Sequence, residues 1–155
     1  MAPGKGTSHI MRLIRDLFVI EPKSQGTKLG EALGYLAGAL KKRSVIFVIS
    51  DFLDNGFEKP MRLLSRRHEV VAIDIVNKPE LKLPSLGLIS FTDPETGDSK
   101  LVDTNSLALK RKWNSYFRHL KDQNQNTFKR SQVDRVQIET ESDPVKPLLH
   151  FFKSR

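Results

Sequence analysis

Apolar side chains recur at helical spacing in residues 7–20, where Ile10, Leu13, Ile14, Leu17 and Phe18 line one stripe behind the capping candidates Thr7 and Ser8. Glu21-Pro22 predicts the end of this helix, because the residue before a proline avoids the α region. After a loop, Lys23-Ser24-Gln25-Gly26, a second helix is predicted over 27–40, begun by Thr27. It carries Leu29, Leu33, Leu36 and Leu40 on one face and Gly30, Gly34 and Gly38 on another. Each glycine costs about 1 kcal/mol against alanine inside a helix, so the close approach of a neighbouring backbone is expected to offset all three. Lys41-Lys42-Arg43 then stands where cations favour a helix C-terminus.

Residues 44–50 form the clearest strand. Every residue between Ser44 and Ser50 is apolar, and four of them are β-branched. A strand without alternation reads as covered on both faces, as in a parallel sheet. Asp51 ends it and Asn55-Gly56 signals a turn. A short helix over 58–67 turns Met61 and Leu64 inward and holds Pro60 in its first turn. A second buried strand follows at 70–76, then a loop at 77–85 with Pro79 and Pro84. A hairpin of 86–91 and 99–102 folds around residues 92–98.

The longest helix is predicted over 106–128, with Leu109, Trp113, Phe117, Leu120 and Phe128 as its main stripe. In the strand 134–140, Val136 and Ile138 alternate with Arg135, Gln137 and Glu139, the pattern of an edge or half-exposed strand. Asp143 caps a last helix with Pro144 at its first position, and Leu148, Leu149, Phe151 and Phe152 are expected to bury. The order predicts a single α/β domain over 1–155: a small parallel sheet with flanking helices and an added β-hairpin.

Composition narrows the function classes. The chain has 155 residues and no cysteine, which excludes a disulfide scaffold, a thiol nucleophile, an iron–sulfur cluster and a cysteine zinc site. Its longest apolar run is five residues, against the ~20 that span a bilayer. The opening residues lack the apolar core of a signal peptide, so a cytoplasmic location is expected. Lys and Arg number 26 against 18 Asp and Glu, a net charge of +8. The excess is split into +5 over residues 1–50, −2 over 51–100 and +5 over 101–155. Such a chain raises the question of nucleic acid or another polyanion. No nucleic-acid motif accompanies the charge, so it reads first as solvated helix faces.

The candidate chemistry lies after the first strand. Ligands of open α/β sheets bind beyond the carboxyl ends of the strands, which places Ser50-Asp51-Phe52-Leu53-Asp54 at the natural crevice. Asp51 could offer a hard oxygen ligand to Mg²⁺, or Asp51 and Asp54 could simply cap the turn into the next helix. Thr27 has the same ambiguity: a helix-capping hydroxyl, or one facing a metal or anion. The four histidines have no metal-ligand spacing, no Gly-x-Ser-x-Gly elbow occurs, and neither Gly-Lys segment has the Walker spacing. Residues 93–98 lack the alternating ligands of an EF-hand. Trp113, Tyr116 and Phe117 beside Lys110-Arg111-Lys112 could stack bases, but they read first as core beside a solvated face. A hydrolase using Asp51 and Asp54 with a metal has no motif for a nucleophile or base.

Several segments taken jointly resemble the bacterial domain-of-unknown-function family 58. They are Pro3-Gly4-Lys5-Gly6, residues 9–17, Glu21-Pro22-Lys23-Ser24-Gln25-Gly26-Thr27 with Leu29 and Leu33, Ile49-Ser50-Asp51-Phe52-Leu53-Asp54, and Arg66-Arg67-His68-Glu69-Val70-Val71-Ala72. Asp93-Pro94-Glu95-Thr96-Gly97 and Pro147-Leu148-Leu149 with Phe151-Phe152 extend the resemblance over nearly the whole chain. It implies a von Willebrand factor type A-like, Rossmann-like domain whose metal-ion-dependent adhesion site joins an Asp-x-Ser-x-Ser, a later Thr and a later Asp. Thr27 stands at the position of the Thr and Asp51 at that of the last Asp, with Asp54 and Lys28 beside them as partner-binding candidates. It also implies a non-enzymatic domain that works with a MoxR-type AAA+ ATPase in assembling or activating other proteins.

No Asp-x-Ser-x-Ser occurs in this sequence, so the implied metal site is degenerate or incomplete. The chain is therefore expected to be the C-terminal part of such a domain, without its first strands. Mg²⁺ is expected in the intact protein and not in this chain. Without its neighbour the strand 44–50 becomes an apolar edge, so self-association by strand pairing is expected. The alternative reading is a basic nucleic-acid or polyanion-binding α/β domain.

Overall fold

The computed structural model describes residues 4–21, 26–92 and 97–154. The expected loop at 22–25 and most of the hairpin turn, 93–96, lie outside the described residues. In chain order the elements are α1 (Thr7–Val19), α2 (Leu29–Ala39), β1 (Val45–Ser50), α3 (Glu58–Ser65) and β2 (Glu69–Val76). A short 3-10 helix (Lys78–Leu81) is followed by β3 (Leu88–Thr92), β4 (Ser99–Asp103), α4 (Leu107–Ser131), β5 (Asp134–Glu139) and α5 (Val145–Lys153). The predicted order is borne out, with the 3-10 turn added in the loop before the hairpin.

A parallel sheet in the order β1-β2-β5 forms the centre, and β3 and β4 form a separate antiparallel pair. Val45 stands opposite Glu69 and Val71 opposite Asp134, so the middle strand β2 pairs along both edges. On one face Val48, Val70 and Ala72 meet Leu33 of α2, Met61 and Leu64 of α3, and Phe128 of α4. On the other face α5 lays Leu148 and Phe151 over Val71, Ile73, Val136 and Ile138. The hairpin reaches α4 through Phe91, 6.3 Å from the Trp113 ring; Trp113 and Phe117 are half-buried, whereas Tyr116, read with them as core, is 56% exposed because no element covers that side of α4 among the described residues. Thr104, fully buried, closes the hairpin base: its hydroxyl donates to the Gly87 carbonyl (2.7 Å) and accepts from the Leu86 N–H (2.9 Å).

β1 departs from the prediction of two covered faces. Val48 is buried, but Val45, Phe47 and Ile49 are exposed. β1 is an edge strand, as the expected loss of its neighbour implied, and α5 lies over the neighbouring strands, with Phe152 reaching Phe47 of β1. α5 is turned accordingly: Leu148 and Phe151 pack inward, whereas Leu149 and Phe152 stay more than half exposed, against expectation. Pro144, expected as the first helical residue, holds the cap position instead, and Asp143 just before it accepts the Val145 N–H at 2.9 Å. In α1 neither Thr7 nor Ser8 caps, because the helix already begins at Thr7 with Gly6 (φ 89°) at the cap position. None of its residues is buried and Phe18 is 88% exposed, so its apolar stripe finds no partner among the described residues.

The three glycines of α2 are not alike. A Cβ on Gly30 would stand 2.8 Å from the Gly56 carbonyl oxygen, so there a backbone does approach closely. At Gly34 and Gly38 the space is open, and the expected close approach is absent. Gly34→Ala is therefore expected to stabilise by about 0.5–1 kcal/mol, from reduced freedom of the unfolded chain. Gly30→Ala is expected to destabilise, since the obstacle is backbone. Urea unfolding midpoints for the two variants should move in opposite directions; a shared direction would overturn this account.

Candidate functional site

The carboxyl end of β1 turns sharply, and its polar side chains make the turn. The Ser50 hydroxyl accepts the Phe52 N–H (3.0 Å), and Asp51 Oδ1 accepts the Leu53 N–H (3.2 Å). Phe52 takes φ 52°, in the left-handed region, with its ring fully buried and its carbonyl held by Asn124 Nδ2 of α4 at 2.8 Å. Asp54 reaches across the chain: Oδ2 accepts the Leu29 N–H at 2.7 Å while Oδ1 accepts the Asn55 N–H at 2.7 Å. Asp54 thus satisfies the first N–H of α2, where a carboxylate also opposes the positive end of the helix dipole.

This places the sequence-predicted residues. Thr27 precedes α2 by two residues and does not cap it; Lys28 holds the cap position with no side-chain cap bond. The long-range contact of Asp54 does that work, which a reading of local capping signals could not find. The bond brings the start of α2 against the β1–α3 loop, so Thr27 and Lys28 share one end of the sheet with Asp51 and Asp54. Lys28 pairs with Glu31 at 3.1 Å, both exposed.

The donor set does not fit a metal centre made by this chain. Asp54 commits both carboxylate oxygens to backbone N–H groups, and Asp51 commits Oδ1. Among the described residues no cluster of three His, Asp or Glu side chains could hold an ion. Mg²⁺ asks for near-octahedral oxygen donors, and one free oxygen of Asp51 with the Thr27 hydroxyl is short of that.

Beside this loop, against the carboxyl half of β2 and the side chains of Arg135 and Gln137 on β5, lies a cavity of about 690 Å³. Asp51 and Leu53 form one wall, the segment after β2 another, and α4 a third. Inside it Asp74 of β2 is paired with Arg135 of β5: Nε donates to Oδ2 at 2.8 Å, Nη2 bonds the same oxygen, and Nη2 also reaches Gln137 Oε1 at 3.2 Å. Lys78 pairs with Glu139 at 2.7 Å on its rim. Motif searching missed this cavity. The legible signal was Asp74 itself, one acid inside the otherwise apolar Val70-Val71-Ala72-Ile73-Asp74-Ile75-Val76. At the opposite end of the sheet a second recess of about 440 Å³ is lined by Lys41, Arg43, Arg67 and His68. His68 is buried there with neither ring nitrogen hydrogen-bonded.

Comparison with known proteins places residues 1–124 in similarity to a family described as "Protein of unknown function DUF58". An uncharacterized protein of Mycobacterium tuberculosis is 28% identical over 95 residues, which is 59% of this chain and 30% of the relative. A Mycobacterium bovis protein, also uncharacterized, matches to the same extent. An uncharacterized protein of Mycobacterium avium is 33% identical over 70 residues, 44% of this chain and 41% of the relative. The matches thus span between 30% and 41% of the length of these relatives. No solved structure matches significantly. Among the described residues no helix is long and apolar enough to cross a membrane.

Proposed function

We propose, for a chain that belongs to the DUF58 family, the role of a non-enzymatic protein-interaction domain. Its partner would be a MoxR-type AAA+ ATPase, and the joint task the assembly or activation of other proteins. The partner comes from the resemblance to the von Willebrand factor type A-like class. The observation that supports an interaction surface is β1, an edge strand whose Val45, Phe47 and Ile49 are 53%, 44% and 67% exposed. An apolar strand left open along its edge and on one face is a place where another chain adds on. Thr27, Lys28, Asp51 and Asp54 stand at the carboxyl end of the same surface and would supply its polar contacts. Mg²⁺ enters this reading only as an ion whose ligand set is completed from outside the chain.

The test uses purified chain and a purified MoxR-type ATPase. Size exclusion with light scattering is expected to show self-association of the chain alone through β1, and titration calorimetry to show binding of the ATPase. Ile49→Lys, exposed and pointing away from the core, should abolish the first and weaken the second at least ~10-fold, as expected for a central apolar contact. A stable monomer across micromolar concentrations together with no ATPase binding, or unchanged binding by Ile49→Lys, would overturn the proposal.

A further inference from the structure

The cavity between the β1–α3 loop and α4 has a composition that the interaction reading does not use. Much of its lining is apolar, with Leu53, Val76, Leu83, Leu120 and the aromatic ring of Phe117. The rest of the lining is largely cationic. Lys110, Asn114, Phe117, Arg118 and Lys121 all line the cavity from α4, and their spacing puts them on one face of that helix. Lys82 faces them from the segment after the 3-10 helix.

The charges are not balanced within the chain. Of the two acids lining the cavity, Asp74 is neutralised by Arg135, which leaves Asp51 alone. Lys78 is matched by Glu139. Lys110 bonds the Ser85 hydroxyl, which supplies no countercharge, and Lys82, Arg118 and Lys121 have no acidic partner among the described residues. Against the single carboxylate of Asp51, four cations without an acidic partner among the described residues line one concave surface, and this surplus focuses a positive potential that attracts an anion. The volume lies within the ~300–1,000 Å³ of small-molecule sites. Part of its lining, Asp51 and Leu53 after β1 and Lys78 to Leu83 after β2, lies at the carboxyl ends of two parallel strands, where open α/β sheets bind ligands.

We propose that this cavity binds an organic anion carrying two or more phosphates on an aromatic body, the nucleoside di- or triphosphate class. The lysines and Arg118 would hold the phosphates. Phe117 and the leucines would take the aromatic body, and the amides of Asn114, Asn124 and Gln137 would meet its polar edge. Several cations call for more than one phosphate, and an apolar lining calls for more than a bare inorganic ion. No phosphate is transferred in this proposal: the site binds. It shares only Asp51 with the proposed β1 surface, and neither Ile49 nor the α4 cations are common to both, so either can fail without the other.

Titration calorimetry at low salt with ADP, pyrophosphate and adenosine tests it. ADP is expected to bind at least ~10-fold more tightly than either fragment, with affinity falling as salt screens the charges. Arg118→Ala with Lys121→Ala should weaken ADP at least ~10-fold with an unchanged circular dichroism spectrum, since both side chains are exposed. Arg118→Gln alone serves if the double variant loses structure, and Lys146→Ala on α5 should change nothing. Absence of ADP binding, equal binding by the Arg118 variants, or preference for a glutamate-rich peptide over ADP would each overturn the proposal.

Discussion

Asp74→Ala will lower stability by about 2–4 kcal/mol, a large share of the ~5–15 kcal/mol that holds a typical domain together. Asp74 lies on the central strand with its side chain 9% exposed, and the guanidinium of Arg135 spends two donors on one of its oxygens. Removing the carboxylate leaves a cation beside the apolar wall of the cavity. Breaking a buried pair costs ~3–5 kcal/mol; the lower range applies here because Arg135 is 23% exposed and already touches Gln137. Replacing both residues, Asp74→Leu with Arg135→Leu, should recover most of the loss, because no unpaired charge remains. Chemical denaturation of the single and double variants checks this. A single-variant loss under about 1 kcal/mol would show that water replaces Asp74 as partner.

Phe52→Ala is the second large effect, expected at about 3–5 kcal/mol from lost burial and the cavity left behind. The Phe52 ring lies 5.5 Å from Phe57 and 5.0 Å from Phe128, edge-on to the latter, so it joins the β1–α3 loop to α4. Its backbone adds a second term. At φ 52° an L-residue bears a cost of roughly 1 kcal/mol that glycine avoids. Phe52→Gly, although it removes more atoms, should therefore be no less stable than Phe52→Ala. Thermal unfolding of the pair separates ring from backbone. A glycine variant clearly below the alanine variant would mean the left-handed turn carries no strain. The substitution should also loosen Asp51, since the loop that aims it is anchored by this ring and by the bond from Asn124 to the Phe52 carbonyl.

Much of the fold was legible because it follows from local rules. Leucines at helical spacing marked α2, an unbroken β-branched run marked β1, and alternation marked β5 with Val136 and Ile138 inward. The same rules found Ser50 to Asp54 as the turn beyond β1. They did not find Asp54 as the cap of α2, because that bond joins residues 25 apart in the chain. They did not separate Gly30 from Gly34 and Gly38, because only the position of Gly56 distinguishes them.

The sequence by itself determined the kind and order of the elements and the chemistry available: no thiols, a cationic surplus, carboxylates after the first strand. The tertiary structure decided which of these meet. Periodicity states that a residue faces inward or outward on its own element, but not which other element covers it. The apolar run of β1 was expected both as an open edge and as covered on two faces; the sheet order bears out the edge, while the placement of α5 over the neighbouring strands leaves one face bare. The cations of α4 looked like a solvated face until the segment after β2 folded opposite them. Both outcomes depend on distances between segments far apart in sequence, and those are set by the packing of the whole core.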